Sequence, residues 1–193
     1  MNFYIGEDKL DDSKIIELFF KRSHSGINHL SRKYGRLCNQ IAYTILKNWE
    51  DAEECENDTY LHAWNSIPPH RPESLKAYVC KITRNIAINK FKYNTRDRRN
   101  GFYDVLMSEL HECIPSKCNV EADCDTTVSD AISKFLLTLD EETRALFVKR
   151  YFELESVEHL AVIFGINASS ASTTLLRVRA DLKKYLEANG IYI

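Results

Sequence analysis

Glycine and proline are scarce in this chain, which has only six glycines and four prolines among its 193 residues. That scarcity disfavours a sheet protein built from many tight turns. No apolar run approaches the roughly 20 residues that a membrane-spanning helix needs. Residues 1–12 also lack the basic start and apolar middle of a signal peptide. The sequence therefore predicts a soluble, cytoplasmic protein that does not associate with membranes.

Common motifs of catalysis and metal binding are also missing. The sequence has no nucleophile elbow, phosphate-binding loop, zinc-protease motif or dinucleotide fingerprint, so we expect neither an enzyme nor a cofactor or metal. The six cysteines match no common zinc spacing and are expected to be free thiols in a reducing compartment. One alternative is a metal- or redox-responsive site, although its ligand spacing is irregular. Its candidate ligands would be His111, Cys113, Cys118 and Cys124.

Apolar residues recur every three or four positions over most of the chain, which is typical of amphipathic helices. Two such stripes consist of Ile27, Leu30, Tyr34, Leu37, Ile41 and Ile45, and of Leu75, Val79, Ile82 and Ile86. The periodicity is lost between residues 101 and 128 and then returns. The sequence therefore predicts an all-α fold. Two small helical domains, at residues 13–98 and 129–188, would be joined by an acidic linker at residues 99–128.

Charge is strongly segregated along the chain, although the net charge is only −2. Residues 50–70 carry a net charge of −6, residues 71–100 one of +7 and residues 101–128 one of −5. The first acidic segment would repel DNA and suits a basic protein surface, whereas the basic segment suits phosphates. Aromatic rings between the cations of the basic segment can stack on unpaired bases. The alternatives are a solvated acidic face and a basic helix that merely packs against the acidic one.

Residues 160–178 have the pattern of a helix-turn-helix. Gly165 suits a left-handed turn, Ile166 is expected to anchor that turn in the core, and Asn167 is a good N-cap. The second helix is predicted to bury Ala171, Leu175, Val178, Leu182 and Tyr185. Its other face offers mostly short hydroxyl side chains, which suit contacts in a major groove. The alternative is a plain helical hairpin with a polar solvent face. These candidate DNA-binding residues are Ser169, Ser170, Ser172, Thr173, Thr174 and Arg177.

Two stretches of the sequence resemble one protein family. The first stretch is similar to the second conserved region of extracytoplasmic-function (ECF) sigma factors, in the sigma-70 family. It runs from Asp51-Ala-Glu-Glu through Trp64 and continues with the segment from Ser74 to Asn89. The second stretch is similar to the fourth region of the same family. Its motifs are Leu139-Asp-Glu-Glu, Arg150-Tyr151, Leu160-Ala-x-x-x-Gly165-Ile and Leu175-x-Arg177-x-Arg179. The two stretches occur in the family's order, with a linker between them.

The resemblance implies an alternative sigma factor, which binds core RNA polymerase and directs promoter recognition, DNA melting and transcription initiation. The implied partners are the clamp coiled coil and flap of bacterial core polymerase, promoter DNA as a duplex and as the melted non-template strand, and an anti-sigma factor as a further candidate. The linker would thread polymerase channels. The implied polymerase-binding residues are Asp51, Glu53, Glu54, Asp58 and Trp64. The implied minus-ten residues are Arg71, Lys76, Tyr78, Lys81, Arg84, Asn85 and Lys92, and the helix after Asn167 would read the minus-thirty-five element.

The sequence departs from the family's pattern in one segment and at two single positions. The recognition helix reads Ser170-Ala-Ser-Thr-Thr174, where the family usually has lysine and arginine. Leu154 replaces a common glycine, and Asn89 stands where aspartate is frequent. The sparse cations leave an alternative open, a sigma-like regulator that binds RNA polymerase or an anti-sigma partner without driving promoter opening.

Overall fold

The computed structural model describes residues 10–95, 101–114 and 124–191, without the side chains of residues 95 and 124–127. All regular secondary structure in these residues is α-helical, which confirms the predicted all-α class. The chain divides into two compact units, residues 1–98 and 99–193.

The described part of the first unit contains helices α1 (Asp12–Phe20), α2 (Ser25–Leu46), α3 (Trp49–Ser66) and α4 (Leu75–Thr95). Polar side chains set the starts of the last two. The Asn48 side chain accepts a hydrogen bond from the amide of Asp51 at 3.0 Å, and the Ser74 hydroxyl accepts one from the amide of Ala77 at 3.2 Å. Such caps satisfy amides that the first turn of a helix leaves without partners.

The core of the first unit lies where α2 packs against α3 and α4. Leu37 and Ile41, which the periodicity places in the apolar stripe of α2, are only half-buried, and the smaller Cys38 and Ala42 are fully buried instead. Small side chains allow close packing between helices, and α3 continues this pattern. A Cβ atom on Gly35 would lie 2.6 Å from the Tyr60 hydroxyl, so this contact between α2 and α3 requires glycine. The buried residues of α3 are Ala52, Cys55, Thr59, Tyr60 and Ala63.

The described part of the second unit contains helices α5 (Phe102–His111), α6 (Cys124–Thr138), α7 (Glu141–Tyr151), α8 (Val157–Phe164) and α9 (Ala168–Ala188). Helices α6, α7 and α8 all pack against α9. The buried face of α9 consists of Ala171, Leu175, Val178, Leu182 and Leu186. Tyr185, predicted to be buried, is only half-buried and packs its ring against Phe135, with 5.5 Å between ring centroids. Leu186 is fully buried instead.

Helices α8 and α9 form the predicted helix-turn-helix, and the chain bends by 105° between them. Gly165 has φ +64°, in the left-handed region that favours glycine, and the Asn167 side chain caps α9 by accepting from the amide of Ser170 at 2.7 Å. The expectation that Ile166 anchors the turn in the core is wrong, because Ile166 is 39% exposed, whereas Leu160 of α8 is fully buried. In the described residues no single helix is long and apolar enough to cross a membrane, although α8 and α9 taken together pass by length and composition.

Helix α5 lies within residues 99–128, which the sequence predicts to be a linker. Phe102, Leu106, Leu110 and Cys113 fall at offsets of 0, 4, 8 and 11 and give this helix an apolar stripe. Leu106 and Cys113 are buried. The high density of acidic residues conceals this short stripe from composition-based reasoning. Residues 115–123 of the predicted linker lie outside the described residues.

Leu154 has φ +57° and is buried, so a bulky side chain occupies a left-handed backbone position. This backbone costs a residue with a Cβ atom about 1–2 kcal/mol, whereas glycine adopts it freely. Leu154→Ala and Leu154→Gly both lose the buried side chain, but only the alanine variant keeps the strain. We expect its free energy of unfolding to be about 1 kcal/mol lower than that of the glycine variant, as measured by urea denaturation.

The matched control is Leu160, which is fully buried inside the helix α8. There the order should reverse, with Leu160→Ala about 1 kcal/mol more stable than Leu160→Gly, because glycine is the poorer helix former. The strain at Leu154 would be contradicted if alanine were the more stable replacement at both positions.

Candidate nucleic-acid interface

The outward surface of α3 is acidic. Glu50, Glu54 and Asp58 are exposed and follow one another at intervals of four residues, so they lie along one side of the helix. Leu61, which is 58% exposed, continues this line by one more turn. We call these four residues the acidic face of α3. Glu53 is also exposed but lies beside this line.

Lys90 of α4 binds two of the predicted polymerase-binding residues. Its Nζ lies 2.9 Å from Oδ1 of Asp51 and also bonds the carboxylate of Glu54. Asn94 donates a second hydrogen bond from α4 to Asp51, at 3.1 Å. Partial burial lowers the pKa of Lys90, but the two carboxylates outweigh this effect and hold the pKa above its ordinary value. Asp51 is thus engaged within the unit, whereas Asp58 is fully on the surface.

Trp64 lies apart from the acidic face, at the end of α3 that packs against α1. Its ring stacks on His24, with centroids 5.1 Å apart, and tilts against Phe19 at 5.9 Å. Arg22 places its guanidinium 5.4 Å from the same ring and donates to the Trp64 carbonyl. These contacts give Trp64 a packing role between α1 and α3. Its contact with polymerase stays a prediction.

Four of the predicted minus-ten residues share one side of α4. Tyr78, Lys81, Asn85 and Lys92 fall at offsets of 0, 3, 7 and 14, which bring them to the same side of a helix. Lys81, Asn85 and Lys92 are exposed, and Tyr78 is half-buried. We call this the outer face of α4, because the opposite side is buried in the unit. The buried side consists of Leu75, Val79, Thr83 and Ala87.

The other three predicted minus-ten residues lie elsewhere. Arg84 is half-buried beside the outer face, and Lys76 is exposed in the first turn on another side of the helix. Arg71, in the loop between α3 and α4, bonds the Glu17 carboxylate and lies 5.2 Å above the ring of Phe20. Arg71 is therefore held against α1, although its side chain remains 57% exposed.

An aromatic pair marks the start of the outer face of α4. The ring of Tyr78 stacks on His70, with centroids 5.1 Å apart and an interplanar angle of 28°. The Tyr78 hydroxyl donates to the hydroxyl of Ser66 at 2.8 Å, which fixes the ring. Exposed flat rings beside cations are the usual platform for unpaired bases. The resemblance implies that the loop from Ile67 to Glu73 binds the minus-ten element, but it does not single out His70, because one exposed histidine in a loop belongs to no periodic pattern.

The outward side of α9 carries most of the predicted minus-thirty-five residues. Ser169, Ser170, Ser172, Thr173 and Arg177 are exposed, whereas Thr174 is half-buried toward the packed side. The Thr173 hydroxyl donates to the Ser169 carbonyl at 2.8 Å.

Leu176 lies on the same outward side of α9 and is 56% exposed. Sequence reasoning did not include it, because leucines on a helix are first assigned to the core. It was identifiable in principle, since the buried stripe of α9 already contains the neighbouring Leu175.

A buried ionic network holds the helix-turn-helix and α5 together. The Glu109 carboxylate accepts hydrogen bonds from Arg150 at 3.0 Å, from the Tyr151 hydroxyl at 2.7 Å and from Arg179 at 3.4 Å. Arg150 is only 3% exposed and also donates to the Glu155 carbonyl at 2.9 Å. Burial raises the pKa of Glu109, but these hydrogen bonds and the two guanidiniums lower it further, to below its ordinary value.

The described cysteines are Cys38, Cys55, Cys80 and Cys113, and all four are free thiols, as predicted. Burial raises the pKa of Cys38, Cys55 and Cys113 to about 11, so these thiols stay protonated and unreactive at neutral pH. Cys118 and the side chain of Cys124 lie outside the described residues. Among the residues that are described, no group of three or more histidine, cysteine or carboxylate side chains could hold a metal ion.

Comparison with known proteins matches residues 30–97, which run from α2 through α4, to sigma-70 region 2. The RNA polymerase sigma factor YlaC of Bacillus subtilis is 24% identical, over 84% of this chain and 93% of that protein. The ECF RNA polymerase sigma factor SigE of Mycolicibacterium smegmatis is 22% identical, over 82% of this chain and 61% of that protein. The RNA polymerase sigma factor SigV of Bacillus subtilis is 26% identical, over 72% of this chain and 77% of that protein.

A helical unit with this match resembles region 2 of the sigma-70 class. The relatives that match most of this chain are RNA polymerase sigma factors, one of them of the extracytoplasmic-function type, which supports a general sigma factor role. The resemblance that the sequence motifs suggested is thereby confirmed.

Glu109→Gln tests the buried network, because glutamine keeps the shape of the side chain but removes the charge that compensates Arg150 and Arg179. We expect the free energy of unfolding at pH 7 to fall by about 2 kcal/mol. The folded-state pKa of Glu109 is lowered, so its contribution is fully present above the unfolded value near 4.5 and is lost as the pH falls through the folded value. The difference between the two proteins should therefore narrow in acid, as measured by urea denaturation across a pH series.

Glu112→Gln is the control, since Glu112 is an exposed glutamate just after α5. It should change stability little at any pH. Equal losses of stability in Glu109→Gln and Glu112→Gln would argue against the network. So would a loss of stability in Glu109→Gln that is the same at every pH.

Proposed function

We propose that this chain is an alternative sigma factor that docks on core RNA polymerase through the acidic face of α3 and captures the melted minus-ten element with the outer face of α4. The helix-turn-helix of the second unit would read the minus-thirty-five element. The observation that carries the proposal is the alignment of Tyr78, Lys81, Asn85 and Lys92 on one side of α4, on a unit whose α3 presents opposite charge. In this proposal, residues 13–98 bind polymerase and the minus-ten element, and residues 129–188 bind the minus-thirty-five element.

Electrostatics supports docking of α3 on a basic protein surface. Glu50, Glu54 and Asp58 would repel a phosphate backbone, so this side of the unit is unsuited to DNA. A basic coiled coil such as the polymerase clamp would be attracted to it, and electrostatic attraction of this kind mainly raises the association rate. Leu61 adds an apolar side chain that the partner can bury.

The outer face of α4 combines the two chemistries that a melted strand requires. Lys81 and Lys92 can neutralise phosphates, and the amide of Asn85 can both donate to and accept from a base edge. Flipping a base out of the duplex costs a few kcal/mol, and stacking on an aromatic side chain returns about 1–3 kcal/mol per base. The His70–Tyr78 pair is placed to provide that stacking. No bond is made or broken in this process, so it requires no catalytic residue.

The helix-turn-helix supports duplex recognition but with modest electrostatic affinity. Arg177 is the only lysine or arginine among residues 168–177, so few counterions would be released when this helix enters a groove. The same observation favours the second candidate function, a sigma-like regulator that binds polymerase or an anti-sigma partner but does not open promoters.

Run-off transcription with core polymerase and a library of genomic promoters separates the two functions. An alternative sigma factor would yield discrete transcripts that depend on the added chain. Stable binding to core polymerase without any specific transcript would support the regulator. The absence of core binding would refute the sigma factor and leave only a regulator that binds an anti-sigma partner.

Lys81→Ala combined with Asn85→Ala removes two exposed groups of the outer face of α4. We expect open-complex formation, followed by permanganate reactivity of the melted thymines, to fall at least tenfold while affinity for core polymerase is unchanged. The matched control is Lys14→Ala with Asn28→Ala, which changes the same residue types at exposed positions on α1 and α2. If the control lost as much open complex, the outer face of α4 would have no special role.

Asp58→Lys reverses one charge at the surface end of the acidic face. Because Asp58 lies on the surface and outside the Lys90 cluster, the fold should be unaffected, and affinity for core polymerase should fall several-fold, more at low salt than at high salt. Fluorescence anisotropy of the labelled chain with core polymerase measures this. Asp130→Lys, the same change at an exposed position of α6, should leave the affinity unaltered.

A further inference from the structure

The outward side of α9 has an unusual chemistry for a helix expected to enter a major groove. Residues 168–177 contain one cation and no acid, and short hydroxyl side chains fill most of the exposed positions. Among them stands Leu176, which is 56% exposed while its neighbour Leu175 is buried. Leu176 therefore contributes little to the core of the unit, and its position in the fold does not explain a leucine.

The helical register places Leu176 with two of the candidate DNA-binding residues. Ser169, Thr173 and Leu176 fall at offsets of 0, 4 and 7, so they form one line along the exposed side of α9. The Thr173 hydroxyl is already bonded to the Ser169 carbonyl, which leaves its methyl group for an apolar contact. The Thr173 methyl group and the Leu176 side chain thus form an apolar surface over two adjacent turns on the exposed side of α9.

The major groove contains one apolar group that such a surface can recognise. Thymine carries a C5-methyl group there, whereas guanine is read mainly by arginine or lysine and adenine by asparagine or glutamine. Arg177 is the only one of these four residue types between residues 168 and 177. Hydroxyl groups accept either base, so they do not by themselves select a sequence.

We infer that Leu176, together with the Thr173 methyl group, reads the C5-methyl group of a thymine in the minus-thirty-five element. This inference rests on the proposed function, since it assigns a specificity-determining role within the helix that is proposed to bind that element. It also makes sequence selection here depend on apolar contact more than on charge, because residues 168–177 contain a single cation.

The experiment compares thymine with deoxyuridine, which lacks only the C5-methyl group. The full chain bound to core polymerase first selects a preferred minus-thirty-five element from a randomised duplex library. Affinities are then measured for that duplex and for copies in which single thymines are replaced by deoxyuridine. We expect one replacement to weaken binding about fourfold, the factor that corresponds to burying one methyl-sized group.

Leu176→Ala should bind the thymine duplex about fourfold more weakly than the unmodified chain. With deoxyuridine at the contacted position it should lose clearly less than the unmodified chain does, because only the Thr173 contact with the methyl group remains. The control is Leu137→Ala on α6, because Leu137 is 74% exposed and lies outside the helix-turn-helix. This control should keep the full sensitivity to deoxyuridine. Since both leucines are on the surface, neither substitution should alter thermal stability by more than a few degrees.

Two results would overturn the inference, and they are distinguishable. If an element is selected but Leu176→Ala loses as much affinity with deoxyuridine as the unmodified chain does, Leu176 does not read a methyl group, and the proposed function stands. If the unmodified chain with core polymerase enriches no minus-thirty-five sequence, the proposed role of α9 fails and the inference fails with it.

Discussion

The packing of α3 against α4 is the constraint on which the first unit depends. Small buried residues bring the two helices together, and the hydroxyl groups of Thr59 and Thr83 meet at 3.0 Å in their interface. At the edge of this interface, Lys90 of α4 binds Asp51 and Glu54 of α3. With the helices held in this register, the buried sides are determined, and the remaining sides must face solvent. The acidic face of α3 and the outer face of α4 are consequences of that single register.

The charges that join the helices and the charges that face outward have separate tasks. Lys90 and Asp51 are mostly covered by protein, so their attraction is used within the unit and is poorly screened by salt. Asp58 and Lys92 lie at the surface, where their fields reach a partner but weaken at high ionic strength. A basic helix packed on an acidic helix and two oppositely charged binding surfaces are therefore compatible interpretations of the same segment. Different residues serve each, except Glu54, which bonds Lys90 and also lies on the acidic face of α3.

The second unit depends on a different interaction, a carboxylate buried between two guanidiniums. Glu109 contacts α7 through Arg150 and Tyr151 and contacts α9 through Arg179. These three partners belong to the motifs that resemble sigma region 4, whereas Glu109 lies in the segment that composition assigns to a linker. The structure thus explains why α5 is part of the unit. An unpaired buried arginine would be costly, and Glu109 provides the compensating charge.

Much of the architecture was predictable from local signals. Helical periodicity, the Asn167 cap and the left-handed turn at Gly165 all depend on near neighbours, so they can be recognised without knowing the fold. The misassigned residues have the opposite property. Whether Ile166 or Leu160 is buried, and whether Cys38 or Leu37 lies on the buried side of α2, depends on the shape of the neighbouring helices. Hydrophobicity alone ranks these side chains in the wrong order, because close packing favours the smaller or better-placed one.

By itself, the sequence determined the helical class, the segregated charges and the two motifs that resemble sigma factors, because these follow from residue type and spacing along one chain. Only the tertiary structure decided which charges are used internally and which face outward, that α5 joins the second unit, and that His70 and Leu176 lie on the surfaces expected to bind DNA. The reason is physical: burial and pairing are properties of contacts between segments distant in sequence. Periodicity within a single helix specifies which side is apolar but not what covers it.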